Sequence, residues 1–268
     1  MRQIYCAGRL ALRYSTSIAG FDAAGFSEPF PAVGSCGCAV LPVQMPDSDG
    51  NIPAPFGAPL SASAVASAVR DGGIIFTGRT DSRLCELFPR QRLISYLECE
   101  ELLLRNAVLT AEGAVQLALE RLDTALCGLP VLIVGLGRIG SALVPILRGF
   151  GAEVTAAVRS PEAEAKADKL GIGHIRTNSI SGDFALVFNT APATVFTLEN
   201  ISRFNKRTLF IELASDSGGF DKASSESLGQ RLIRTGGLPG KTAPVTAGEI
   251  IADAVTALIE EGGGCCEN

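Results

Sequence analysis

The run VLIVGLGRIG carries glycines at 135, 137 and 140, the G-x-G-x-x-G spacing of a turn that binds anions through its backbone. Gly135 permits the tight turn, Gly137 lets main chain approach a pyrophosphate, and Gly140 allows close helix–strand packing. Arg138 and Ile139 open the helix, whose N-terminal NH groups and dipole favour a phosphate. Alone, the motif also fits an ordinary strand-to-helix turn. Its context decides: an apolar strand precedes it, a helix follows, and a second strand, EVTAAVR, comes within about 25 residues.

At the end of that second strand, an Asp or Glu would accept from the adenosine ribose and repel a 2′-phosphate. Arg159 and Ser160 stand there instead. A guanidinium pairs bidentately with phosphate and a hydroxyl can donate beside it, so NADP is expected in preference to NAD. Ser160-Pro161 is equally a good cap and first residue for a helix. Asn189, Thr190 and Pro192 follow the fourth apolar strand, at the sheet end where ligands of such folds bind, and are expected beside the nicotinamide. Ser215 and Gly237, past later strands, complete the expected cofactor set.

The stretch GGLPGKTAPVTAGEII, residues 236–251, places one cation, Lys241, in a turn made rigid by glycine and proline. After the last strand, that turn would aim the ammonium into the crevice, where it suits a carboxylate. A solvated loop lysine is the plain alternative. Arg105 and Arg79 are second choices. Glu112 could accept a proton, or it could compensate a helix dipole. The single histidine, His174, begins the predicted third strand and reads as a surface residue. Without a G-x-S-x-G motif or an arginine–glutamate–histidine set, neither a serine hydrolase nor an ordinary 2-hydroxyacid dehydrogenase is expected.

The elements that hold these residues follow from periodicity. From Thr110, TAEGAVQLALERLDTALCG sets Val115, Ala118, Leu119, Leu122 and Leu126 on one helical stripe. Then VLIVG, EVTAAVR, HIRT, FALVFN, TLFIELA and RLIRTG read as strands alternating with helical or loop segments. Pro145 should kink the helix after the glycine loop. The final helix should bury Ile250, Ile251, Ala254, Val255, Leu258 and Ile259. Such alternation predicts an α/β fold, a Rossmann doubly wound parallel sheet, preceded by a smaller irregular α/β domain. In that first part CAVLPV and GIIFTG read as strands, SASAVASAVRDG as a short helix, and LISYLE and LLLRNAV as a helix and a strand, in that order or mixed. The expected boundaries are 1–107, 108–262 and a disordered tail at 263–268.

Composition narrows the partners. The 268 residues carry a net charge of −5 with no basic run, which argues against nucleic acid. No uncharged stretch reaches the roughly 18–20 apolar residues of a membrane helix, and the N-terminus does not read as a signal, so a cytoplasmic protein is expected. Of the eight cysteines, Cys36 and Cys38 form a C-x-C, Cys265 and Cys266 are adjacent and the other four are scattered; with one histidine they read as mostly buried thiols, a metal or redox role for Cys36 and Cys38 being the alternative.

Several of these stretches in order, namely RNAVLTAEGAVQLALE, GLPVLIVGLGRIGSAL, AAVRS, VFNTAPA, IELASDSGGFD and GLPGKTAPVTAGEII, resemble the family of dipicolinate synthase A subunits, over roughly residues 74–260. The resemblance implies a nicotinamide-dependent oxidation of a dihydrodipicolinate, from the lysine-pathway intermediate, to dipicolinate in a sporulating bacterium. It also implies a small dicarboxylate substrate, a partner in the form of a flavoprotein-like B subunit, and an oligomer. Its TAEG motif falls on Thr110, Ala111, Glu112 and Gly113 with Asn106 ahead, and its GLPGK-x-AP motif on Gly237 to Pro244. On that footing Lys241 and Glu112 are the candidate catalytic residues, and Asn106, Thr110, Ser215 and Gly240 the candidate substrate contacts. The match weakens at the N-terminus, where the family's G-G-D-x-R-like turn has no counterpart in MRQIYCAGRLALRYSTS. That departure leaves two other readings: a non-catalytic NADP-binding subunit, or a dehydrogenase of another small oxo- or imino-acid.

Overall fold

The computed structural model describes residues 36–52, 59–214 and 218–261, and the chain divides into two compact units. The first contains the residues up to Asn106 together with those from Pro244 onward, and the second is Ala107–Ala243.

In the first unit, β1 (Cys36–Val40), β4 (Val69–Thr77) and β5 (Arg92–Ser95) form a parallel sheet in that order. Strands β2 (Asn51–Ile52) and β3 (Leu60–Ser61) make a separate antiparallel pair. Helix α1 (Ala62–Ala68) is capped by Ser61, and α2 (Ser82–Leu87) by Asp81, whose carboxylate accepts from the Leu84 amide at 2.7 Å. Ala39, Val65, Ile75, Leu84 and Phe88 fill the core between them.

LISYLE is strand β5 followed by a 3-10 turn at Tyr96–Glu98, and LLLRNAV is helical, so the expected strand and helix are both present with the strand first. The reason is that the apolar stripe starts earlier than Thr110. Ala107, Ala111, Ala114, Val115 and Ala118 recur at helical spacing and are all buried, giving one 22-residue helix, α3 (Glu100–Arg121). Leu119, expected on that stripe, is 46% exposed. By length and composition α3 is long and apolar enough to cross a membrane, and 44% of its most apolar window is buried inside the protein.

In the second unit six parallel strands follow: β6 (Pro130–Val134), β7 (Glu153–Val158), β8 (Gly173–Arg176), β9 (Leu186–Asn189), β10 (Leu209–Glu212) and β11 (Leu232–Arg234). Their order across the sheet is β8-β7-β6-β9-β10-β11, so chain direction across the sheet reverses between β6 and β9. Alternate residues serve opposite faces: Val131 and Ile133 join α3 and α4 (Arg138–Gly149), while Leu132 and Val134 join a cluster of Phe196, Phe204, Phe210 and Phe220. Phe196 and Phe220 stack with ring centroids 4.5 Å apart. Helix α4 runs through the exposed Pro145 as one element rather than breaking there. Helices α5 (Pro161–Leu170), α6 (Leu198–Ile201), α7 (Lys222–Leu228) and α8 (Leu238–Thr242) complete this unit.

The terminal helix α9 (Pro244–Glu261) groups with the first unit, not with the dinucleotide domain where the sequence placed it. It packs on the Tyr96–Glu98 turn, and its Asp253 receives Arg105 at 2.9 Å. Ile250, Ala254, Val255 and Ile259 are buried as expected; Ile251 and Leu258 are only half-buried. Among the described cysteines Cys38 is buried, but Cys85 and Cys127 are exposed, contrary to the expectation of mostly buried thiols. The expected tail, with Cys265 and Cys266, lies outside the described residues.

Candidate functional site

The order reversal between β6 and β9 leaves their C-terminal ends flanking a crevice, the place where doubly wound sheets bind ligands. The glycine loop lies on its edge, and each glycine has a distinct reason. Gly135 has φ +89°, and a Cβ there would meet Thr190 Oγ1 at 2.9 Å. A Cβ on Gly140 would fall 2.0 Å from the Gly135 carbonyl, so only glycine lets α4 sit this close. A Cβ on Gly137 would meet nothing within 4 Å. Gly137 is also the N-cap of α4 and supplies no side-chain cap, leaving that helix end open to an anion. These observations fit a dinucleotide pyrophosphate, with Gly137, Arg138 and Ile139 at the helix end. Arg138 is exposed there, and Ile139 packs against the core.

Arg159 is exposed at the end of β7. Ser160 caps α5, accepting from the Ala163 amide at 3.3 Å, and its hydroxyl bonds the Glu162 carboxylate. That bond is the main reason the Glu162 carboxyl is held below its ordinary pKa. Ser160 is thus engaged as a cap, and only Arg159 of the pair is disengaged among the described residues. Lys166, which sequence reasoning passed over, reaches back from α5 to donate to the Leu136 carbonyl at 2.9 Å, bringing a second cation to the glycine loop.

Two expected cofactor contacts are engaged in the frame instead. Asn189 is fully buried; its amide donates to Glu212 at 2.8 Å and to the Ala191 carbonyl at 3.0 Å. Thr190 Oγ1 bonds the carbonyls of Val134 and Gly135. Pro192 is exposed just beyond them. Glu212, also missed, is 2% exposed at the end of β10, and its carboxylate accepts from Asn189, the Ala214 amide and the Gly219 amide. The one available signal was an acid closing the otherwise apolar run TLFIE. Ser215 lies outside the described residues.

The TAEG and GLPGK stretches come together. A Cβ on Gly113 would lie 3.0 Å from the Thr242 side chain and 3.2 Å from Leu238 Cβ, so this glycine lets α8 rest directly on α3. Asn106 and Thr110 share the helical stripe of Gly113. Glu112 is exposed and projects about 100° away from that stripe. It also sits mid-helix, not in a first turn, so dipole compensation does not explain it. The expected rigid loop at Lys241 is the short helix α8, entered through Gly237 at φ +66°; Lys241 and Gly240 are exposed on it. Arg105 is paired with Asp253 and Glu101, so its charge is taken. Arg79 is exposed. His174 is a surface residue with Nε2 3.4 Å from Asp168.

Strand order, glycine loop and open helix end define a Rossmann-type dinucleotide-binding domain. The family model for the D-isomer specific 2-hydroxyacid dehydrogenase NAD binding domain matches residues 105–214. More particularly, the chain is similar to the dipicolinate synthase A subunit of Bacillus subtilis (strain 168), 29% identical over 193 residues. That alignment covers 70% of this chain and 65% of the relative, so the match spans just under two thirds of the relative's length. The crystal structure of the dipicolinate synthase A subunit from Bacillus halodurans superposes with a TM-score of 0.77 at 25% identity, covering 84% of this chain and 80% of that one. The Bacillus subtilis structure gives 0.76 at 26% identity, covering 85% and 79%.

Proposed function

We propose that the protein is an A-type subunit of a dipicolinate synthase. In this reading it oxidises a dihydrodipicolinate, formed from 4-hydroxy-tetrahydrodipicolinate, to dipicolinate, with NADP as hydride acceptor and a proton released to solvent. It works in the cytoplasm with a flavoprotein-like B subunit. The observation that supports this best is the ordered likeness to the A subunits of dipicolinate synthase, in sequence and in fold, across both units.

The chain's own residues fit the assignment. A bound nicotinamide supplies the carbon that takes the hydride. The glycine loop and α4 would hold the pyrophosphate, and Arg159 would pair with the 2′-phosphate. Lys241, exposed on α8, binds one substrate carboxylate, with Gly240 beside it. Thr110 extends the binding surface along the stripe that Gly113 presses against α8. No proton role is given to Glu112, which lies off that stripe.

Purified protein, combined with a B-type subunit, NADP and the precursor, should generate the ultraviolet absorbance of pyridine-2,6-dicarboxylate. No product with either NADP or NAD, alongside retained binding of the reduced cofactor, would replace this reading with a non-catalytic cofactor-binding subunit.

A further inference from the structure

We infer that Glu212 is a positioning residue that sets the nicotinamide half of the cofactor cleft, an inference resting on the cofactor reading above. Glu212 is 2% exposed, so it acts through the loops it ties. Oε1 accepts from Asn189 Nδ2 at 2.8 Å and from the Ala214 amide at 2.9 Å, and Oε2 accepts from the Gly219 amide at 2.6 Å. Asn189 carries the tie onward to the Ala191 carbonyl at 3.0 Å. The Gly219 carbonyl in turn accepts from the Val195 and Phe196 amides, each at 2.8 Å. One carboxylate thereby joins the segment after β9 to the segments flanking the turn after β10.

The geometry around it is exacting. A Cβ on Gly219 would fall 2.2 Å from Asn189 Nδ2, and Gly218 adopts φ +68°. A Cβ on Gly218 would lie 2.9 Å from Arg234 Nη1 and 3.1 Å from Glu212 Oε2, so a guanidinium stands near the buried anion. Three N–H donors converge on Glu212, and only a carboxylate accepts from all three. A glutamine would turn its own NH2 toward one of them and strand a buried donor. In the cofactor reading the adenosine half would be held elsewhere, by Gly135 to Gly140 between β6 and the first turn of α4 and by Arg159 just after β7. Loss of Glu212 should therefore divide the cofactor along its length.

The test is Glu212→Gln, with binding of NADPH followed by its fluorescence and binding of 2′-phospho-ADP-ribose, which keeps the 2′-phosphate and lacks the nicotinamide, by calorimetry. The expected result is NADPH affinity lower by about tenfold or more, with 2′-phospho-ADP-ribose affinity unchanged. Asn189→Ala should split the two ligands in the same direction, and it carries the test if Glu212→Gln does not fold. Equal weakening of both ligands, or no weakening of either, overturns the inference. If the unaltered protein binds neither ligand, the cofactor reading itself falls, and the inference with it.

Discussion

Thr190 Oγ1 lies 2.9 Å from the Val134 carbonyl and 3.1 Å from that of Gly135, fastening the segment after β9 to the glycine turn after β6. The hydroxyl thereby holds the two edges of the crevice in register. Thr190→Val keeps the shape and removes the donor. It should cost about 0.5–1.5 kcal/mol of stability, the usual net contribution of a hydrogen bond, and weaken NADPH binding as well. Chemical denaturation and a cofactor titration check both parts.

The three glycines of the loop should separate in kind. Gly137→Ala adds a methyl into space that the protein leaves empty, at an ordinary φ of −70°, so the unfolding temperature should barely change while NADPH affinity collapses. Gly140→Ala drives a methyl to 2.0 Å from a carbonyl and should lose both, with overpacking costs on the order of 1–3 kcal/mol or more. If Gly137→Ala bound NADPH like the parent, the pyrophosphate would not pass over this residue.

Arg159→Ala tests the choice of cofactor. Removing a charge-assisted contact to a 2′-phosphate costs roughly 1.5–3 kcal/mol, so NADPH affinity should drop about tenfold or more while NADH affinity holds. Equal small effects on the two would favour NAD.

Lys241 is exposed and makes no ion pair among the described residues. Lys241→Ala should leave stability within about 0.5 kcal/mol and raise the KM for the dicarboxylate substrate. An unchanged KM and kcat would remove it from the site.

Asp221 gives a pH dependence with a fixed sign. Its carboxylate caps α7 and accepts from the Ser224 amide at 2.7 Å, and the hydrogen bonds from Ser224 hold its pKa below the ordinary 3.8. A lowered folded-state pKa means the contribution is complete above the unfolded value and fades as pH falls through the folded one. Exchange protection of the Ser224 amide should decline in that acid window. In Asp221→Asn, which keeps an acceptor without a charge, that decline should be absent.

Much of this was legible in the sequence because it is local. Short runs, most of them apolar, alternating with helical or loop segments marked the six strands from Pro130 to Arg234, and the glycine spacing marked the loop between β6 and α4. The Ser160-Pro161 pair announced α5. Errors arose where neighbours in space override neighbours in sequence. LLLRNAV reads as a strand in isolation but continues the buried stripe of α3. The GLPGK turn is helix α8, which rests on Gly113, over a hundred residues earlier in the chain.

Period and glycine chemistry act within a few residues, so the alternating α/β order, the parallel sheet and the place of the phosphate loop were all readable along the chain. Which polar groups face a ligand, and which hold the frame, was settled only by packing. Asn189 and Glu212 sit 23 residues apart in the chain, yet the parallel register of β9 and β10 makes them partners at 2.8 Å. A strand-end side chain looks the same in sequence whether it points to a cofactor or to its neighbour. Hydrogen-bond satisfaction in the buried interior makes the choice, and that is a property of the packed sheet.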